Sequence, residues 1–353
     1  MTLESYTKTK QLEAFGRIRD RKRVYLDTKY WLLLRDVTLG RRNDPPILAL
    51  LEVLRAGVQK GTIFCPICEG TLSEIASQLD DTTRHATATL VDELSLGVGL
   101  LEHDMRSNTE LACLLHSDLP DERMHHCDQL VWTSTTFALG YVFPQNDSFD
   151  PKTMLCIQKA FSDYLWDLPL AKLLDAHPRK PMPGTGFASL ANRLNSENAS
   201  HQSELTSFNE TFEIESHGTI DLMLPIAREI MRSRYRQVGR ESEPVEAELS
   251  AIEVELRKLL IAVLNSPQAT SRLPTMHVNT SIHAFLRWNK GQKWEANHFT
   301  DLRHAAAALG YCDAFFTERS LAGWLCHGEL QLDRKYSCVV VHKVTDALRV
   351  ISL

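Results

Sequence analysis

The chain has no apolar run approaching the roughly 20 residues that a bilayer-spanning helix needs, so no membrane segment is expected. Its first stretch, MTLESYTKTKQLEAFGRIRDRKR, lacks the apolar core of a secretory signal. Cysteine is scarce and scattered, eight in 353 residues, which reads as reduced thiols in a cytoplasmic protein. There is no excess of positive charge either. The formal net charge is −6, which argues against a protein that coats nucleic acid non-specifically. A nucleic-acid enzyme is still allowed, because a cluster of acidic metal ligands would itself push the total negative. No internal repeats are present.

What the chain does have is an ordinary globular balance, 43% hydrophobic and 24% charged residues, with length enough for a large core. Basic residues are densest in Arg17–Arg23 and in Arg228–Arg240, either as solvated faces or as phosphate contacts. Val24-Tyr25-Leu26-Asp27 reads as a buried strand ending in an acid, and TKYWLLLRD as the helix that follows. Asp27 then stands at the carboxyl edge of a sheet, where open α/β sheets bind ligands, or it serves only as a helix N-cap. Helices are expected over 47–59, 69–79 and 83–96, with a short strand at 62–66 and Glu74 beside an apolar stripe.

From about residue 120 to 294 strand-like runs become scarce. Helices are expected over 128–142, 151–175, 219–236 and 243–264, and an exposed loop over HPRKPMPGTGFASLANRLNSENASHQSE. The α/β pattern resumes in NHFTDLRHAAAALGYCDAFFTERSLAGWL. There Thr300 is read as a helix cap, Asp301 as a first-turn acid and Gly310 as the left-handed stop. Ala314–Thr317 is the next buried strand, Glu318–Leu325 the next helix, and SCVVV the last strand. The expected organisation is an α/β domain in two parts, 1–119 and 295–353, interrupted by a largely α-helical insertion over 120–294.

VYLDTKYW, CPICEGTLSEIA and TDLRHAAAALGYCDAFFTERSLAGWL, taken in that order, resemble the PIN domain, a family of metal-dependent ribonucleases that includes many bacterial toxins. The resemblance covers roughly residues 21–110 and 297–350. It implies a three-layer α/β/α fold with a central, mainly parallel sheet. It also implies that Asp27, Glu74 and Asp301 bind Mg²⁺ or Mn²⁺ and act in endonucleolytic hydrolysis of RNA to a 5′-phosphate and a 3′-hydroxyl, in a toxin-like or defence role. The family's fourth acid falls where this chain has Arg319. Glu318 is the preferred substitute and Asp313 the alternative.

Crowded carboxylates repel one another unless a cation lies among them, and these hard ions prefer oxygen ligands and retain waters. Thr28 and Thr317 are placed to orient a ligand or water. Lys29, Arg303 and Arg319 are the candidate phosphate contacts, and His304 either touches the scissile phosphate or packs beneath the loop. Trp288 and Trp294 stack unpaired bases or anchor the insertion. The insertion is the candidate for substrate choice, inhibition or self-association into a homo-oligomer.

Three other readings compete. Cys65-Pro66-Ile67-Cys68, after a strand and opening a helix, has the context of a redox motif, but no βαβ pattern of thioredoxin length surrounds it. His125-His126-Cys127 matches no zinc-finger spacing. The third is a PIN-like scaffold with vestigial acids, acting by binding protein or RNA.

Overall fold

The computed structural model describes residues 2–117, 125–176, 186–201, 203, 205–237 and 246–352. The protein is a mixed α/β chain built on a small parallel sheet. The strands are β1 (Lys22–Leu26), β2 (Ile63–Phe64), β3 (Val98–Leu100), β4 (Trp132–Ser134), β5 (Ala314–Phe316) and β6 (Val339–Val341). Four of them form the main sheet in the order β2-β1-β5-β6, parallel throughout. Residues 24–26 of β1 lie opposite 314–316 of β5, so the two strands end level.

Successive side chains of a strand point to opposite faces, and β1 obeys this. Val24 and Leu26 enter a core with Phe316, Trp31 and Leu50, whereas Tyr25 joins Phe315 and Phe64 in a core with Ala305 and Phe285. Helices therefore cover both faces, as a parallel sheet requires. The run of alanines at 305–308 is fully buried. Small side chains there let the His298–Tyr311 helix lie close to its neighbours, and a Cβ on Gly310 would come within 3.2 Å of Pro274.

Several local expectations are corrected. Gly310 lies inside its helix, which runs on to Tyr311, and Asn297 rather than Thr300 is the cap position. The helix expected over 128–142 is replaced by the short Cys127–Leu130 helix and β4, which pairs antiparallel with β3. Most of the expected loop C-terminal to residue 186 is helical, Phe187–Ser200, while residues 177–185 lie outside the described residues. The start of the helix expected at 243 is also outside them, and the described helix is Glu246–Leu264.

The long Phe208–Gln237 helix, the Glu246–Leu264 helix and the Pro274–Trp288 helix share a third core with Leu111, Leu114 and Leu115. Pro274–Trp288, on the insertion side of residue 294, is buried along most of its length, and its Val278, Ile282 and Phe285 join the core that holds Ala305–Ala308.

Candidate active site at the carboxyl rim

After β1 the chain moves to β2 on one side, while β5 pairs with β1 on the other. The carboxyl ends of β1 and β5 therefore flank a topological switch point, where open α/β sheets leave a crevice. Asp27 stands at the end of β1 and Thr317 at the end of β5. The Thr317 hydroxyl, fully buried, donates to Asp27 Oδ2 at 2.7 Å, bridging the two. Asp27 Oδ1 accepts from the Lys29 backbone N–H at 3.0 Å, so the same side chain also caps the Thr28–Thr38 helix.

Glu74 reaches this rim from the Glu69–Ala76 helix. Its Oε2 accepts from the Thr28 hydroxyl and lies 3.3 Å from His304 Nε2. Burial pushes the Glu74 carboxyl up, but the His304 hydrogen bond and charge, with Thr28, outweigh it and hold the group below its ordinary value. His304 is 2% exposed, and its Nδ1 lies 2.7 Å from the Tyr25 hydroxyl. Burial lowers the His304 pKa, yet Cys68, Glu74 and Asp27 together raise it well above the usual imidazole value.

Asp301, in the first turn of the His298–Tyr311 helix, is pushed up to about 7. Burial is the largest cause; His304 opposes it, and Glu318, Asp27 and Glu74 add to it. Asp301 is thus within electrostatic reach of the other three rim acids. Glu318 occupies the turn after β5, with Oε1 accepting from the Ser320 hydroxyl.

Of the other expected residues, Asp313 lies away from the rim. Asp313 precedes β5, at the amino end of the sheet. It accepts from the Arg23 N–H at 2.7 Å, and β5 separates it from the rim by about 10 Å. Its place beside the acids is withdrawn on that ground. The guanidinium of Arg303 lies 5.7 Å from the centroid of the Phe187 ring. Lys29 and Arg319 are at the rim and exposed. Trp294 is buried and stacks on Phe299 at 5.1 Å, and Trp288 packs against Phe208 and Phe285, so both serve as anchors.

The first basic run is largely consumed internally. Arg17 donates to the Leu96 carbonyl, Arg21 to that of Val58, and Arg23 pairs with Asp128 at 2.6 Å. In the second run Arg228 pairs with Glu253 and Arg232 with Glu229; residues 238–240 are outside the described residues. Cys65 and Cys68 are both fully buried, and burial pushes the Cys65 thiol up, which is the opposite of what a reactive redox thiol requires.

Sequence reasoning missed the buried polar pocket behind Glu74. Tyr25, Thr71, Cys68 and His304 form one hydrogen-bonded set there. The available signal was a lone hydroxyl-bearing residue, Tyr25, in the middle of an apolar strand.

Among the described residues, no group of three or more His, Cys, Asp or Glu side chains is drawn together closely enough to hold a metal ion. The donor chemistry does fit a hard divalent cation: the groups are carboxylate oxygens, and the pKa of one of them, Asp301, is raised by burial first and by its like-charged neighbours second. Two of the acids are also engaged by protein groups, Asp27 by Thr317 and the Lys29 N–H, Glu74 by Thr28 and His304. Comparisons with family models, curated proteins and solved structures give no match for this chain.

Proposed function

We propose that this protein is a metal-dependent endoribonuclease of PIN-like fold, acting through Asp27, Glu74, Asp301 and Glu318. One observation supports the reading: Asp301 is within electrostatic reach of Asp27, Glu74 and Glu318, acids from segments far apart in the chain, beside the switch point where the Thr317 hydroxyl donates to Asp27. A bound Mg²⁺ or Mn²⁺ would supply a water of lowered pKa and offset negative charge on the phosphate. The chain's own residues supply orientation. Thr317 fixes one oxygen of Asp27 and leaves Oδ1 toward the Lys29 N–H. Thr28 and His304 aim Glu74, and Asp301, its pKa raised to about 7 chiefly by burial, is the carboxyl that would have to lose a proton to take a cation. The product polarity, a 5′-phosphate and a 3′-hydroxyl, follows from the resemblance.

A second reading is a scaffold that binds RNA or protein without cutting. It is favoured by the lack of three closely drawn donors among the described residues and by Arg319 in place of an acid. One experiment separates the two. The purified chain is melted with Mn²⁺ or with chelator, then incubated with unstructured RNA. The nuclease reading expects a Mn²⁺-dependent rise in melting temperature and RNA cleavage, both lost in Asp27→Asn/Asp301→Asn. Absence of both in the native chain leaves the scaffold.

A further inference from the structure

The cations at the two edges of the sheet are used differently. At the amino edge the three cations that lead into and open β1 are committed: Arg21 donates to the Val58 and Ile63 carbonyls, Lys22 to the Val350 carbonyl at 2.6 Å, and Arg23 pairs with Asp128. At the carboxyl edge they are not. Three adjacent strands each release a cation within three residues of their last position: Lys29 after β1, Arg319 after β5 and Lys343 after β6. All three are exposed, and none takes part in an ion pair among the described residues.

Register makes this a row. Phe316 lies opposite Val341, and the Thr317 N–H donates to the Val341 carbonyl at 2.9 Å. The segments Thr317-Glu318-Arg319 and His342-Lys343 therefore leave the sheet side by side. With neighbouring strands about 4.8 Å apart, the row spans about 10 Å. It does not continue past β1, because the exit of β2, Cys65-Pro66-Ile67, is buried. Of the acids near β6, Asp346 is engaged by Arg349 at 3.0 Å.

We infer that Lys343, with Arg319 and Lys29, forms a track for the phosphate backbone of unpaired RNA, leading from the rim acids toward β6. Lys343 is the member that no motif in the sequence singles out. The choice of RNA as occupant rests on the nuclease reading above. The aromatic side chains of the rim helix, Tyr30 and Trp31, are fully buried, so that helix offers cations and not rings to a bound strand. Binding through the track is sequence-tolerant and salt-dependent.

The test measures binding without divalent ions, so that cleavage plays no part. Fluorescence anisotropy with a labelled 12-nucleotide oligo(U) RNA in chelator is followed across a potassium chloride series. Compared with the native chain are Lys343→Ala, the triple variant Lys29→Ala/Arg319→Ala/Lys343→Ala, and Lys60→Ala, an exposed lysine next to the start of β2 at the opposite edge. Each lost phosphate contact should flatten the slope of log affinity against log salt by about 0.7, and the triple variant by about 2. Lys60→Ala should match the native chain. An unchanged slope in Lys343→Ala, a loss equal to that of Lys60→Ala, or no RNA binding by the native chain overturns the track. Cleavage in Mn²⁺ with an unaffected Lys343→Ala would sink this inference and spare the nuclease reading. Binding that depends on Lys343 without any cleavage would do the reverse.

Discussion

His304 Nε2 lies 3.3 Å from Glu74 Oε2, with the histidine almost wholly buried and the carboxylate at the rim. The ring is held from behind by Tyr25 at 2.7 Å, so Glu74 is aimed from the interior of the protein. His304→Ala removes that support, empties a buried site and leaves the Tyr25 hydroxyl with only Cys68 and Thr71 as partners. The expected cost is about 2–4 kcal/mol in chemical denaturation, together with loss of any cleavage. His304→Gln, which keeps a hydrogen-bonding group near Glu74, should recover part of both. Equal stability of the native chain and His304→Ala would show that the ring does not brace Glu74.

Thr317 and Asp27 add a side-chain hydrogen bond to the ladder between β1 and β5. Thr317→Val keeps the shape of the buried side chain and deletes only the donor, costing about 1 kcal/mol. The sharper readout is the ion. On the proposed function, the Mn²⁺ concentration giving half of the melting-temperature rise should increase several-fold in Thr317→Val, while Thr317→Ser stays near the native value. An unchanged Mn²⁺ midpoint in Thr317→Val would separate this hydroxyl from ion binding.

Thiol chemistry tests the burial pattern and the redox rival together. Cys156 and Cys326 are exposed, Cys113 and Cys127 half-buried, and Cys65, Cys68, Cys312 and Cys338 buried. Burial together with Asp333 pushes the Cys326 thiol up to about 11, so its thiolate is scarce despite its exposure. Under native conditions at pH 8, Cys156 should react first with iodoacetamide and Cys326 much more slowly. Cys65 and Cys68 should react only on unfolding. Peptide mapping over time checks this order, and early labelling of Cys65 would reopen the redox reading.

Much of the core was legible because its signals are local. Apolar periodicity placed the helices around 45–60 and 81–95, and the strand-then-acid pattern placed Asp27 at the carboxyl end of β1. The long-range partners were not legible. Glu69 and Glu74 lie on one helix five residues apart, yet Glu69 is buried against Arg106 at 3.2 Å and Glu74 reaches the rim; spacing alone does not say which acid meets a distant cation. Asp313 and Glu318 bracket one three-residue strand, so their assignment to opposite edges depended on strand direction. β4 was missed because WTS is too short for alternation to register, and its pairing with β3 supplies the ladder that local pattern could not reveal.

The pH dependence of stability should carry the mark of Glu110. This carboxyl is fully buried, accepts from the Tyr311 hydroxyl at 2.6 Å and from the Thr275 N–H at 2.9 Å, and burial pushes it up to about 7 against those hydrogen bonds. An acid raised in the fold binds its proton more tightly there than in the unfolded chain. Its contribution is therefore fully present below the unfolded value near 4.5 and is lost as pH rises toward 7. The loss is on the order of 3 kcal/mol between those limits. Asp301, also pushed up to about 7, adds a loss of the same sign in the same window. Denaturant titrations from pH 4.5 to 8 should show stability falling through this range. The fall should be smaller in Glu110→Gln, smaller in Asp301→Asn, and smallest in the double variant, since the two carboxyls belong to separate clusters and their effects should add. A Glu110→Gln profile that parallels the native one would place the titrating proton elsewhere.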